Sequence, residues 1–200
     1  MKIGVFGGTF DPPHIGHFIV AEHVREEIHL DRVAFVPCDI PPHKQQRKIT
    51  DGEHRLAMIR LAVGGDHAFE VLDVELQRGG VSYTVDTLEL LRNLRPSDEF
   101  YLLVGMDNMP EFHTWRQPER ILELATLVVL RRPGYPIPPL ELPGGTRILL
   151  CDVPMIGLSA TEIRDRVRHG KTIKYRVPTT VEQYIHSHSL YLRESTGSGG

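Results

Sequence analysis

The sequence has little cysteine and no long hydrophobic run. Its two cysteines, Cys38 and Cys151, lie far apart and without the spacing of a metal or redox motif, so we interpret both as buried or incidental thiols of a reducing compartment. No apolar run reaches the roughly 18 residues that a membrane-spanning helix needs. The first residues also lack the basic start and long apolar stretch of a signal peptide. These absences predict a cytoplasmic protein that does not contact a membrane.

An excess of positive charge is missing too. The chain has 200 residues with 23 Lys and Arg against 26 Asp and Glu, a formal charge of −3. No general positive field therefore favours nucleic acid, and any anion-binding site must be local. The length predicts a single domain over residues 1–192, helical from about 155 to 192, while residues 193–200 are typical of a flexible tail or linker.

Short apolar runs alternate with amphipathic stretches along the chain. The runs are near-continuous, which is typical of parallel strands covered on both faces, at 2–6, 32–36, 69–74, 99–104, 126–131 and 147–151. Helical patterns lie at 15–28, 51–63, 84–94 and 118–125, with two more at about 159–169 and 178–189. Asp51 is a candidate N-cap, and Leu56, Ile59 and Val63 recur behind it at helical spacing. This order predicts an α/β fold with a doubly wound, mostly parallel sheet and a C-terminal helical segment.

The string GGTFDPPHIGH at 7–17 stands between the first predicted strand and the first helix. It matches neither the dinucleotide fingerprint nor the P-loop, but glycines permit close backbone approach and a helix start attracts anions. His14 and His17 are three residues apart and would share a helical face, which suits phosphate. Two alternatives stay open here: Asp11 and Pro12 as an ordinary helix cap, or a metal site that uses both histidines and Asp11.

Other predicted strand ends and helix starts carry polar groups. In LSATEIR (158–164), Ser159 and Glu162 form a candidate capping box, and Thr161 and Arg164 can converge on phosphate. Asp107, close behind strand four, can accept bonds from ribose hydroxyls or cap a helix.

Three further segments have both an ordinary and a functional interpretation. Lys44 lies in the basic stretch IPPHKQQRK (40–48). This stretch is interpreted either as a solvated surface loop or as a loop that contacts an anion. Trp115 lies in a predicted loop after strand four. It is either a core residue or a platform on which a ligand ring can stack. In SYTVDT, the backbone N–H groups near Tyr83 and Thr84 can hold a carboxylate. Arg131 or Arg132, at the end of strand five, is a weaker phosphate candidate, whereas His186 and His188 read as surface or interface residues.

The segment His14-Ile15-Gly16-His17 resembles the (H/T)-x-G-H motif of the nucleotidyltransferase superfamily. The wider string at 7–17 is similar to that of bacterial nicotinate-mononucleotide adenylyltransferases. The resemblance continues at PPHK (41–44), SYTVDTL (82–88), GMDNMPEFHTW (105–115) and LSATEIR (158–164), and so covers residues 1–192. One departure is Ala160, where the family usually has serine, and it removes one hydroxyl from the expected phosphate site.

The resemblance implies a Rossmann-like nucleotidyltransferase fold and a reaction in NAD biosynthesis. ATP would adenylylate nicotinate mononucleotide, giving nicotinate adenine dinucleotide and pyrophosphate. Mg²⁺ would accompany ATP, held mostly by phosphate and water rather than by protein ligands. The implied catalytic residues are His17, His14, Lys44 and Arg164. The implied ATP site comprises Gly7, Gly8, Thr9, Phe10, His14, His17, Gly105, Asp107, Ser159, Thr161 and Arg164, and the implied second-substrate site Lys44, Tyr83, Thr84 and Trp115.

Other functions remain open beside this one. They are an adenylyltransferase for nicotinamide mononucleotide or another superfamily substrate, and a non-catalytic nucleotide-binding module. Small molecules are the expected partners, and neither nucleic acid nor a membrane is expected. The sequence leaves open whether the chain forms a homo-oligomer.

Overall fold

A parallel β-sheet forms the centre of the computed structural model, which describes residues 1–41, 49–131 and 148–193. Within these ranges six strands lie in the order β3-β2-β1-β4-β5-β6, all parallel to their neighbours. They are β1 (Lys2–Gly8), β2 (Arg32–Pro37), β3 (Phe69–Val71), β4 (Glu99–Gly105), β5 (Thr126–Arg131) and β6 (Ile148–Asp152). The order reverses between β1 and β4, which makes the carboxyl ends of these two strands the expected place for a ligand. The predicted fold class is confirmed.

Helices cover both faces of this sheet. They are α1 (Ile15–Glu27), α2 (Gly52–Val63), α3 (Val74–Arg78), α4 (Thr84–Leu94), α5 (Pro118–Leu124), α6 (Ala160–Arg168) and α7 (Thr179–Ser187), with a 3-10 helix at Met106–Thr114. None of the helices in the described ranges combines the length and apolarity needed to cross a bilayer.

Alternation along the strands divides the apolar residues between two cores. On β2, Ala34 and Val36 face a core with α4 and α5, whereas Val33 and Phe35 face a second core with α1 and α2. All four side chains are fully buried. Burial on both faces explains why the strands are uninterrupted apolar runs in the sequence.

The C-terminal helices pack on α2 rather than on the sheet. Met58 of α2 belongs to a third buried cluster with Ile163 of α6 and with Val181 and Ile185 of α7. The face of α2 differs from the prediction, because Arg55, Met58 and Ile59 are its buried residues, while Leu56 and Val63 are half-buried. The predicted N-cap is confirmed, since Asp51 accepts a hydrogen bond from the backbone of Glu53 at 2.9 Å.

Two segments were assigned wrongly from the sequence. The third predicted strand ends at Val71 instead of residue 74, because β3 pairs with β2 over three positions only and the chain then enters α3. The predicted loop before Trp115 is instead the 3-10 helix Met106–Thr114. Pro110 lies inside it, and proline is compatible with short helical turns but not with a longer α-helix ladder.

Candidate active site

A cavity of about 1010 Å³ opens at the carboxyl ends of β1 and β4. The loop after β1, the 3-10 helix after β4 and the start of α6 all line it. Small-molecule sites commonly measure about 300–1,000 Å³, so this cavity has the size of a large small-molecule site.

His14 and His17 lie at the start of α1 and line this cavity. His14 is the N-cap and His17 occupies the third helical position. Their rings stack with centroids 3.7 Å apart, and the backbone N–H of His14 donates to Nδ1 of His17 at 3.1 Å. Since Nδ1 of His17 accepts this bond, the proton of the neutral ring is on Nε2. His17 therefore has an N–H donor that the helix start does not consume.

Gly16 lies directly against the His14 ring. A Cβ atom at position 16 would lie 3.0 Å from Nδ1 and 3.2 Å from Cε1 of His14. Both distances are shorter than an ordinary van der Waals contact, so a side chain here would shift the His14 ring by a few tenths of an ångström. The glycine between the two histidines thus favours the stacked geometry of the pair.

Both histidines are neutral at physiological pH. Burial lowers the pKa of His14 to about 4, and burial together with the adjacent His14 ring lowers the pKa of His17 to about 3. His14 is 7% exposed, and within the described ranges its Nδ1 is buried without a hydrogen-bond partner. This nitrogen faces the first turn of α1, since a Cβ atom at Gly16 would lie 3.0 Å from it and the capping-box arrangement directs the His14 side chain at the backbone N–H of His17.

Asp11 anchors the loop before α1 and does not cap the helix. Its carboxylate accepts a hydrogen bond from the Tyr191 hydroxyl at 2.7 Å and one from the backbone N–H of Thr50 at 3.3 Å. The capping alternative is therefore wrong, since His14 occupies the N-cap position. The buried carboxylate also raises the pKa of the Tyr191 hydroxyl, after desolvation as the largest cause.

Arg164 connects α6 to the same loop. Its Nη1 donates to the carbonyl oxygen of Asp11 at 2.7 Å, and its Nη2 donates to Oγ1 of Thr161 at 3.1 Å. Ser159 caps α6 by accepting from the backbone N–H of Glu162 at 3.1 Å, so this half of the predicted capping box is confirmed. Ser159, Thr161 and Arg164 thus line the cavity that His14 and His17 also line.

Gly105, the last residue of β4, lines the cavity beside Asp107. A Cβ atom at Gly105 would lie 2.5 Å from Oδ1 of Asp107, so glycine is needed for the carboxylate to fold back over the strand end. Gly105, not Asp107, is the N-cap of the 3-10 helix. Asp107 is exposed and lines the cavity, where its carboxylate oxygens can accept hydrogen bonds from a ligand.

The other predicted substrate residues lie between α4 and the 3-10 helix. Tyr83 is the N-cap of α4 and makes no side-chain cap bond, and Thr84 lines the cavity. Trp115 is half-buried, lines the same cavity and packs against Phe112 at 5.2 Å between centroids. Arg116 lies 4.8 Å over the Tyr83 ring and pairs with Asp86, which connects the two segments.

Comparison with known proteins identifies the family to which the chain belongs. The Cytidylyltransferase-like family model matches residues 5–166. A probable nicotinate-nucleotide adenylyltransferase of Thermomicrobium roseum is 46% identical over 195 residues, which cover 95% of this chain and 91% of that protein. One from Thermus thermophilus is 46% identical over 191 residues, 96% of this chain and all of that protein. The chain belongs to the nicotinate-nucleotide adenylyltransferase family.

A solved structure agrees with this adenylyltransferase fold. It is the Plasmodium falciparum nicotinic acid mononucleotide adenylyltransferase complexed with NaAD, with a TM-score of 0.76 at 19% identity, covering 95% of this chain and 97% of that one. At this identity the likeness concerns the fold alone.

Three predicted residues of this adenylyltransferase remain. Lys44, with the rest of residues 42–48, lies outside the described residues, and so does Arg132. Arg131 is engaged elsewhere, because its guanidinium forms a two-bond ion pair with the carboxylate of Asp152.

Sequence reasoning missed Arg55 and Tyr191. Both contact the loop after β1 from distant parts of the chain. For Arg55 a signal existed, since it precedes the apolar residues Met58 and Ile59 at helical spacing and so shares their face. Tyr191 had no such signal, because only the packing of the C-terminal segment brings its hydroxyl to Asp11.

Proposed function

We propose that this protein transfers the adenylyl group of ATP to the 5′-phosphate of nicotinate mononucleotide, giving nicotinate adenine dinucleotide and pyrophosphate. The observation that carries the proposal is the stacked His14–His17 pair at the start of α1, beside the strand-order reversal and opposite Arg164. A cavity with such donors suits a chain of phosphates.

The reaction needs alignment more than acid–base chemistry. An ionised oxygen of the nucleotide 5′-phosphate attacks the α-phosphorus of ATP. The bond from that phosphorus to the bridging oxygen breaks, and pyrophosphate leaves with the electron pair. Since the attacking oxygen is already charged at neutral pH, no side chain must remove a proton. Holding both phosphates in line supplies an effective molarity of roughly 10⁵–10⁸ M.

His17 and His14 are proposed to orient the phosphates of ATP. Nε2–H of His17 is the donor that the helix start leaves free, and the His14 ring stacks on it and lines the same cavity. The negative charge of the phosphates would raise the pKa of both rings from their low values, so that binding draws a proton toward the site. A well-placed donor of this kind contributes about 10²–10³ in rate.

We assign the remaining roles from where each residue lies around the cavity or, for Lys44, from the sequence. Arg164, Thr161 and Ser159 are proposed to hold the leaving pyrophosphate, and Lys44 to assist at the transferring phosphate. Asp107 and Gly105 are proposed to meet the ribose of ATP. Gly7, Gly8, Thr9 and Phe10 would form the backbone floor below the phosphates.

The pyridine ring of the second substrate is proposed to stack on Trp115. Its carboxylate would then meet the backbone N–H groups at the start of α4, near Tyr83 and Thr84, where the helix dipole favours negative charge. This arrangement would favour the acid over the amide, because an amide carries no charge for these groups to stabilise.

Magnesium enters the proposal as part of the ATP substrate. In the part of the chain that the structure describes, no group of three or more His, Cys, Asp or Glu is placed to hold an ion. Phosphate oxygens and water are therefore proposed as its main ligands, in keeping with how Mg²⁺ binds nucleotides. The cytoplasmic location remains a prediction.

Pyrophosphate release separates the candidate substrates directly. The assay supplies ATP with nicotinate mononucleotide, nicotinamide mononucleotide or phosphopantetheine, each over a range of concentrations. We expect the highest kcat/KM with nicotinate mononucleotide. A higher value with either other substrate, or no release with any, would contradict the proposal.

A further inference from the structure

Arg55, on α2, is an arginine buried under the loop that the proposed function places below the phosphates. It is 1% exposed, and arginine is almost never this buried without a carboxylate partner. Yet among the described residues no carboxylate forms an ion pair with it. Its charge is met by backbone carbonyls instead.

The carbonyls come from three separate segments. Nη1 donates to the carbonyl oxygens of Thr9 at 3.0 Å and Cys38 at 2.6 Å, and Nη2 donates weakly to that of Asp39 at 3.4 Å. Nε donates to the carbonyl oxygen of Thr50 at 2.8 Å. Thr9 follows β1 and Cys38 follows β2, and these strands are neighbours in the sheet. One planar guanidinium thus joins the carboxyl ends of two strands to Thr50, two residues before α2.

The bond to Thr9 also sets the direction of the next peptide group. In a trans peptide the carbonyl of one residue and the N–H of the next point in opposite directions. With the Thr9 oxygen directed at Arg55, the N–H of Phe10 is directed away from it. Phe10 has a φ of 50°, in the left-handed region that non-glycine residues rarely adopt. Such a conformation persists only where the surroundings hold it.

A second route ties Arg55 to the same loop. Thr50, whose carbonyl accepts from Arg55, donates its own N–H to the carboxylate of Asp11 at 3.3 Å. Tyr191 and Arg164 hold Asp11 from other sides. Of these tethers, only Arg55 contacts both the loop after β1 and the loop after β2.

We propose that Arg55 is a positioning residue of the phosphate site: its guanidinium holds the loop after β1 in its anion-binding conformation and places a positive charge behind it. The inference rests on the proposed function for the nature of the ligand. Carbonyl groups cancel a cation only in part, so the buried charge continues to favour an anion in the adjoining cavity.

Steady-state kinetics of Arg55→Lys test this assignment, because lysine retains the charge but not the fork of donors. Arg55→Met, which removes both, is the second variant. Arg60→Met is the matched control, since Arg60 lies on the same helix in an exposed ion pair with Asp73. For each variant, kcat and both KM values are measured, and thermal unfolding confirms that the variant is folded.

For Arg55→Lys we expect kcat to fall by about 10- to 100-fold. The KM for ATP should rise at least five times more than the KM for nicotinate mononucleotide, with the control unchanged. If the substitution only lowered the fraction of active protein, the apparent kcat would fall but both KM values would stay unchanged. Unchanged kinetics in Arg55→Lys, or equal rises in both KM values, would overturn the proposal.

A separate measurement tests the role of Arg55 if the proposed function itself is wrong. If the unaltered protein releases no pyrophosphate with nicotinate mononucleotide, calorimetric titration with ATP alone replaces the kinetics. Arg55→Lys should then bind ATP at least tenfold more weakly than the unaltered protein, and equal affinities would overturn the positioning role.

Discussion

The ring of His14 stacks on the ring of His17 at 3.7 Å between centroids, and the backbone of His14 donates to the same partner's Nδ1. The bond sets the tautomer of His17 from within the pair, and the Phe10 ring packs edge-on against His17 at 5.0 Å between centroids. The pair is also neutral in the free protein, so any positive charge on it must come with a bound anion.

His17→Ala removes the donor that the proposed mechanism depends on most. We expect turnover to fall by at least roughly 10²-fold while the protein remains folded. Pyrophosphate release and circular dichroism measure the two effects separately. His186→Ala is the control, since His186 is exposed on α7 away from the cavity. Near-normal turnover in folded His17→Ala would remove His17 from the mechanism.

Stability should depend on pH through His14 and His17. Their folded-state pKa values, about 4 and about 3, lie below the value of about 6.5 for an unfolded chain. As pH falls below about 6.5, the unfolded state binds protons that the folded state does not, so folding weakens by up to about 1.4 kcal/mol per pH unit per histidine. Above that pH the two groups contribute no slope.

Urea unfolding between pH 7.5 and 4.5 measures this slope. The double variant His14→Gln with His17→Gln should lose stability less steeply than the unaltered protein, and His186→Gln should not differ from it in this way. Parallel curves for the double variant and the unaltered protein would show that the histidines are not buried and neutral.

Gly16→Ala should impair activity more than folding. Alanine normally favours a helix over glycine by about 1 kcal/mol, but here its Cβ meets the His14 ring at 3.0 Å. We expect kcat to fall by about 10- to 100-fold as the imidazole moves. Gly157→Ala is the control, because a Cβ there meets nothing within 4 Å. Full activity in Gly16→Ala would mean that the stacked geometry is not required.

Trp115→Ala should selectively weaken the binding of the second substrate, nicotinate mononucleotide. Stacking of a base on an aromatic ring is worth about 1–3 kcal/mol, so the KM for nicotinate mononucleotide should rise about tenfold or more while that for ATP changes little. Trp115→Phe keeps a ring and should recover part of the loss. Equal changes in both KM values would assign Trp115 to the core with Phe112 instead.

Most strand and helix positions followed from the sequence. Most strand runs are apolar because helices cover both faces of the inner strands, and this pattern is visible within each segment of the sequence. Thr84–Leu94 was predicted to the residue. The helix α3 was missed because its five residues are too few to show a helical period, and it follows the point where β3 stops pairing with β2. The 3-10 helix was missed because its tighter turns, with Pro110 inside, lack the 3.6-residue period of an α-helix.

For the site, the sequence by itself determined that His14 and His17 share the first turn of α1, since spacing along a helix decides which side chains are neighbours. Only the tertiary structure decided that Asp11 is held by Tyr191, that Arg164 reaches back to the loop after β1, and that Arg131 turns to Asp152. It also decided that Arg55 is buried among carbonyls from two strand ends. Those contacts join residues far apart in the chain, and long-range packing, not local spacing, selects each partner.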